Sequence, residues 1–436
     1  MWVTEWSAWL RGWSCAALLW ACGGANPNAP INTLADGSAA EGGAPDGAIP
    51  ALDAASAADT SALTASADAS DSAAQAADSA GTRDATSTGV DGAQTSGDAS
   101  TVSGDGSTQP SSALVHYLGR FDTTDPAGPK CSWPGSAIMA TFTGTGITAQ
   151  LIDAGTNYFT VVIDGGTPTV VPTGSQTQTY TLATGLAAGQ HTVVLTKRTE
   201  SYVGVVQILG LQPQGGALVP SPEPFSRRIE LVGDSITCGY GDLGIGPNCS
   251  WSASTEDETI TYGALTANQL NAEATVIAYS GIGMYQNANG VTTNQMPVLF
   301  ERTLADDATS QWGFTTPAPD VVVINLGTND FANGDPGQAY VTAYVAFLRQ
   351  VRGHYANATI ICTTSPMLGS TNNAHAIEAS YIQSAISQVS DPRVSFMDFA
   401  AQDQANGLGC DWHPSPKTHQ LMATTLVAQV NSLTGW

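Results

Sequence analysis

Four short stretches carry side chains suited to acyl chemistry. They are Gly233-Asp234-Ser235-Ile236-Thr237, Tyr279-Ser280-Gly281-Ile282-Gly283, Leu326-Gly327-Thr328-Asn329-Asp330 and Cys410-Asp411-Trp412-His413-Pro414. Ester hydrolysis through a covalent intermediate needs an activated hydroxyl, and Ser235 is the candidate nucleophile. A serine hydroxyl attacks poorly until a base takes its proton. The imidazole of His413, with an unperturbed pKa of ~6.5, suits that work at neutral pH. Asp411, two positions earlier, would hold the imidazole in the right tautomer and complete a triad in the order Ser, Asp, His. The face of Trp412 would stack on the apolar face of a sugar ring. Each residue also has a plainer alternative: a turn or helix cap for Asp234-Ser235 and Asp411, a positive-φ turn for Gly281 and Gly283, an Asx-turn for Asn329, and core packing for Trp412.

Those stretches need elements to bring them together. Ile229, Leu231 and Val232 read as a strand buried on both faces, ended by Gly233. Further apolar runs at 275–279, 321–326, 359–362 and 394–399 alternate with helical stretches near 259–272, 294–304, 336–355, 374–389 and 415–433. Strand alternating with helix implies a parallel sheet with helices on both faces. In such a sheet the loops at the carboxyl ends of the strands meet at one edge, which would collect Ser235, Gly281, Asn329 and His413. Upstream, residues 113–218 hold about eight short alternating runs with Gly-rich turns, the pattern of a β-sandwich of jelly-roll type. That sandwich either binds carbohydrate or serves as a platform packed on the downstream domain. Residues 219–227 form a stiff Pro-rich connector.

Over most of residues 228–436 the four blocks resemble the SGNH (GDSL-type) hydrolases. The whole arrangement is similar to carbohydrate esterase family 2: a jelly roll, then a Gly-Asp-Ser-Ile-Thr-Cys-Gly-Tyr-Gly start at 233–241 and a closing Asp-Trp-His-Pro at 411–414. The resemblance implies a flavodoxin-like three-layer α/β/α domain with a five-stranded parallel sheet. It implies an oxyanion hole from the Ser235 N–H, the Gly281 N–H and the Asn329 side chain, with Gly283 as the substitute if the loop register differs. Each such donor is worth ~3–4 kcal/mol of transition-state stabilisation. Some members orient the histidine with a backbone carbonyl, so the resemblance leaves the role of Asp411 open. It also implies removal of O-acetyl groups from xylan or glucomannan, with a bias toward primary 6-O esters, and no cofactor or metal. The G-x-S-x-G elbow of α/β-hydrolases is absent. Two alternatives stand beside this reading: a lipase or thioesterase on the same scaffold, and a carbohydrate-binding protein with an inactive hydrolase domain.

Composition narrows the partners. A formal net charge of -24 excludes a basic footprint for nucleic acid and disfavours anionic surfaces. A neutral polysaccharide suits it, and a monomer is expected. The 7 cysteines form no C-x-x-C pair, and H-E-x-x-H is absent, so the usual metal spacings are missing. In an oxidising compartment, Cys238 with Cys249 would close a short loop beside Ser235, and Cys362 with Cys410 would tie two strand ends, leaving Cys131 unpaired. The alternative is that all five are reduced and buried. Thr255-Glu256-Asp257-Glu258 reads as a helix cap or a solvated acidic loop.

The N-terminal region is of another kind. Residues 1–22 carry one Arg and a short apolar run, too short to span a bilayer, and read as a secretory signal. Leu19-Trp20-Ala21-Cys22 resembles a bacterial lipobox, in which Cys22 would be acylated. Residues 23–112 are Ala, Ser, Asp, Gly and Thr with almost nothing to bury, and read as a disordered spacer. The expectation is a secreted or cell-envelope protein, its membrane contact confined to a lipid on Cys22.

Overall fold

The computed structural model describes residues 112–314 and 317–436. The expectations for the signal segment, for Cys22 and for most of the spacer therefore lie outside the described residues.

The parallel sheet forms where β-branched runs are flanked by helical periods. Its strands are β1 (Arg228–Gly233), β2 (Glu273–Ala278), β3 (Val321–Asn325), β4 (Thr359–Thr363) and β5 (Val394–Met397). They pair in the order β2-β1-β3-β4-β5, all parallel. Both faces are buried. Val232, Ile277, Val322, Ile324 and Ile360 pack under α3 (Met296–Leu299), α4 (Gln338–His354) and α5 (Ala374–Val389). Ile229, Leu231, Val276, Val323 and Ile361 pack under α2 (Tyr262–Leu270) and α6 (Pro416–Thr434) on the other face. Alternate residues of one strand thus feed two different cores, which is why the strands read as unbroken apolar runs.

The upstream residues form an antiparallel sandwich. One sheet pairs Lys130–Cys131, Val206–Gln214, Gly146–Asp153 and Thr177–Ala183. The other runs through Leu218–Val219, Ala137–Gly144, Gly189–Lys197, Tyr158–Ile163 and Thr169–Pro172, with His116–Leu118 added on Ala137–Gly144. Phe142, Ile147, Phe159, Val193 and Val206 fill the space between them. Trp133 leaves this core and is fully buried in the hydrolase core instead.

Two helices are shorter than their sequence period predicts. The stretch near 294–304 is helical only over α3, because Arg120 of the sandwich takes the carbonyls of Phe300 and Arg302, and Ser132 Oγ accepts the Ala305 N–H at 3.0 Å. Docking has replaced the helix's own hydrogen bonds. The stretch near 259–272 breaks at Thr261, which is extended and caps α2 through its hydroxyl. Just before it, the acidic loop is not solvated: Glu256, Asp257 and Glu258 are buried against the sandwich, where Asp257 pairs with Arg198 at 2.9 Å.

Candidate active site

Ser235 is the first residue of α1 (Ser235–Cys238), a single turn directly after β1. Asp234 precedes it in extended conformation, and its carboxylate caps the turn by accepting the Ile236 N–H at 3.0 Å. Gly233 is required for space rather than for a positive φ: a Cβ there would collide with the Thr237 side chain. The chain therefore passes from strand to turn in one residue, and Ser235 stands at the carboxyl edge of the sheet.

His413 comes from the last loop, between the one-turn helix Cys410–Trp412 and α6, which Ser415 caps. Its Nε2 lies 2.8 Å from Ser235 Oγ. Its Nδ1 faces two backbone carbonyls, Asp411 O at 3.1 Å and Cys410 O at 3.2 Å. Carbonyls only accept, so the proton sits on Nδ1 and Nε2 is free to take the serine proton. The Tyr240 ring covers the imidazole at a centroid distance of 4.3 Å. Burial pushes His413 down to about 4, so it is a neutral base at neutral pH.

The Asp411 side chain does not take the triad position expected from its spacing. With φ at 50° the residue is left-handed, and its carboxylate accepts the Trp251 N–H at 2.9 Å and the Tyr240 hydroxyl at 3.1 Å. Its carbonyl, not its carboxylate, orients the imidazole. The expected disulfides are also corrected. Cys249 is bonded to Cys410, while Cys131, Cys238 and Cys362 are free and buried. Cys362 lies inside β4 and Cys238 inside α1, where neither faces a loop partner. The loop carrying Cys249 meets the His413 loop because Gly244 leaves room for both sulfurs; a Cβ there would crowd each Sγ.

The third side of the site is the loop after β2. Gly281 is left-handed at φ 77°, and its N–H has no acceptor among the described residues; the same holds for the Ser235 N–H. The Gly283 N–H is already committed to Asn287 Oδ1 at 3.2 Å, which removes Gly283 as a substitute donor. Asn329 is buried and donates from Nδ2 to the Ile282 carbonyl at 2.9 Å, with a longer 3.4 Å contact to Asp234 Oδ2. Asp330 does more than close its own turn. Its carboxylate accepts the N–H groups of Met284 at 2.8 Å, Tyr285 at 2.6 Å and Gln286 at 2.9 Å, and so binds the β3 loop to the β2 loop. Trp412, adjacent in the chain to His413, is 50% exposed. Among the described residues, Glu200, Cys238 and Glu256 form a cluster of metal-ligand types; the Glu200 oxygens there are hydrogen-bonded to Ser280.

Sequence reasoning missed Tyr240, Trp251 and Glu200. The first two carry no catalytic pattern. For Glu200 a signal existed, since Lys197-Arg198-Thr199-Glu200 concentrates charge in a chain only 11% charged.

A buried serine in contact with a neutral imidazole, with the N–H groups of Ser235 and Gly281 left without an acceptor among the described residues, defines a serine acyl hydrolase. Residues 231–421 accordingly match the GDSL-like lipase/acylhydrolase family, and residues 117–222 match the family described as carbohydrate esterase 2 N-terminal. The solved structure of a family two carbohydrate esterase from Clostridium thermocellum in complex with cellohexaose superposes with a TM-score of 0.71 at 40% identity, over 74% of this chain and 99% of that one. The chain belongs to carbohydrate esterase family 2. Among curated relatives, the cellulase/esterase CelE of Acetivibrio thermocellus is 40% identical over 326 residues, 74% of this chain and 40% of that protein. An acetylxylan esterase / glucomannan deacetylase of Cellvibrio japonicus is 29% identical over 75% of this chain and 90% of its own length.

Proposed function

We propose that this chain removes O-acetyl groups from neutral polysaccharides of the xylan or glucomannan type. The observation that carries the reading is the 2.8 Å contact between His413 Nε2 and Ser235 Oγ. Ser235 Oγ attacks the acetyl carbonyl as its proton passes to Nε2. The oxyanion forms against the N–H groups of Ser235 and Gly281, the Asn329 amide joins them by giving up its long 3.4 Å contact to Asp234 Oδ2, and Nδ1–H, held by backbone carbonyls, steadies the imidazolium. Collapse expels the sugar hydroxyl, which takes the proton from His413. Water, deprotonated by the same nitrogen, then attacks the acetyl-serine; the acyl–Oγ bond breaks, Ser235 Oγ takes the proton back from His413, and acetate departs. No step calls for a cofactor.

The substrate class rests on three supports: the names of the Cellvibrio relatives, the cellohexaose bound by the Clostridium esterase, and the exposed indole of Trp412 next to the base. Acetate released from acetylated xylan and acetylated glucomannan, and fatty acid released from a long-chain lipid ester, measured side by side, test it. Release from the polysaccharides is expected, with Ser235→Ala inactive on all three; a preference for the lipid ester would overturn it. The protein acts as a monomer at the cell envelope, anchored by a lipid on Cys22. Incorporation of a labelled fatty acid that is lost in Cys22→Ala checks the anchor.

A further inference from the structure

Glu200 belongs to the sandwich, in the turn after the strand Gly189–Lys197, yet its carboxylate is engaged by the hydrolase domain. Oε2 accepts the Ser280 N–H at 2.8 Å, and Oε1 accepts the Ser280 hydroxyl at 2.6 Å. Ser280 immediately precedes Gly281, and the N–H of Gly281 belongs to the peptide group that joins the two. The direction of that N–H is therefore set by how Ser280 is held. Gly281 has no packing of its own to fix it, since nothing lies within 4 Å of where a Cβ would stand. Its carbonyl alone is anchored, by the Ala288 N–H at 2.9 Å.

The carboxylate is itself built into place. Glu200 is fully buried, and burying a charge is costly unless it is paired and hydrogen-bonded. The Lys197 ammonium lies beside it, donating to the Glu200 carbonyl at 3.0 Å and the Thr199 carbonyl at 2.5 Å. Glu256 Oε2 accepts the Glu200 N–H at 3.2 Å, and the Cys238 thiol lies 3.7 Å from Glu200 Oε2. A second buried carboxyl, a buried ammonium and a thiol thus surround Glu200, and Glu200 alone passes that support on to Ser280.

We propose that Glu200 is a positioning residue: through Ser280, the sandwich domain aims the Gly281 N–H at the oxyanion of the hydrolase site. The proposal rests on the esterase reading, in which Gly281 is an oxyanion donor. It makes the sandwich part of the active site rather than a platform beneath it.

The test compares kcat and KM of the full chain on a chromogenic acetate ester for Glu200→Ala, Glu200→Gln and Ser280→Ala, with folding checked by circular dichroism. Loss of one oxyanion donor costs about 10²–10³ in kcat, so Glu200→Ala should lose about a hundredfold in kcat with KM changed by less than about twofold. Glu200→Gln keeps an acceptor for the Ser280 N–H and should restore most of the rate. Ser280→Ala removes only the hydroxyl bond and should fall between the two. The double variant Glu200→Ala/Ser280→Ala should be no slower than Glu200→Ala alone, because both act through one contact. A folded Glu200→Ala enzyme with the parental kcat, or a loss confined to KM, overturns the proposal. Should Glu200→Ala not fold, Ser280→Ala decides: a several-fold drop in kcat supports it and a parental kcat overturns it. An inactive parent, or an active Ser235→Ala, would instead remove the esterase reading; an active parent with unaffected Glu200 and Ser280 variants removes only the positioning role.

Discussion

His413 takes its tautomer from main-chain carbonyls, and this separates two groups that a sequence places side by side. A carboxylate in that position is indispensable, since its amide replacement fixes the wrong tautomer and costs about 10⁴ in kcat. Here the Asp411 carboxylate holds Trp251 and Tyr240, so Asp411→Asn should lose less than about tenfold in kcat, and asparagine tolerates the left-handed backbone. A loss near the larger figure in steady-state kinetics would return Asp411 to the triad. The burial that lowers His413 sets the acid limb of activity. The neutral imidazole is the active form, so it is present above about 4 and lost as pH falls through that value. The pH profile of kcat/KM should therefore show no protonation of the base near the ordinary 6.5. The pairing of Ser235 with His413 was legible in the sequence because their side-chain types are what acyl transfer requires. The carbonyl was not, because any residue supplies one.

The segments between the strands hold these groups in register. The Cys249–Cys410 bond closes a separation of 161 residues and ends on the residue whose carbonyl faces Nδ1. Cys249→Ser should therefore lower stability by about 2–4 kcal/mol and slow turnover as well, read from denaturant unfolding and from kcat. A variant that loses stability and keeps its full rate would show that the bond only staples the loops. Asp330 joins the loops after β2 and β3 through three N–H groups, and Asp330→Ala should leave all three without an acceptor. Each buried orphan costs about 1–3 kcal/mol, so the variant should melt well below the parent. The strands and their order of appearance were readable from apolar runs broken by Gly-rich loops. The cysteine pairing was not, since spacing along the chain cannot say that the Cys249 loop and the His413 loop meet in space around Gly244.

Buried acids, within the hydrolase domain and at its contact with the sandwich, govern how the whole molecule answers to pH. Burial pushes Glu258 up to about 8, Asp234 to about 7 and Asp330 to about 6. The folded state therefore retains protons that the unfolded chain has already released, and it loses stability as pH rises through that range. His413 and His419, pushed down to about 4 and about 3, act in the opposite sense, but only below the ordinary 6.5. The melting temperature should thus fall from pH 6.5 to pH 8 in calorimetry, and a rise over that window would contradict the placement of these acids. The charged run Lys197-Arg198-Thr199-Glu200 was the one hint of the contact in the sequence: Thr255-Glu256-Asp257-Glu258 reads as a helix cap or a solvated acidic loop, and neither reading tells of the sandwich that covers it. The most direct test of the covalent mechanism is mass spectrometry on enzyme quenched in acid during turnover of an acetate ester. A single acetyl group on the peptide that contains Ser235, absent when Ser235→Ala is treated in the same way, is the predicted result. Steady release of acetate with Ser235 never acetylated, or undiminished release by Ser235→Ala, would contradict it.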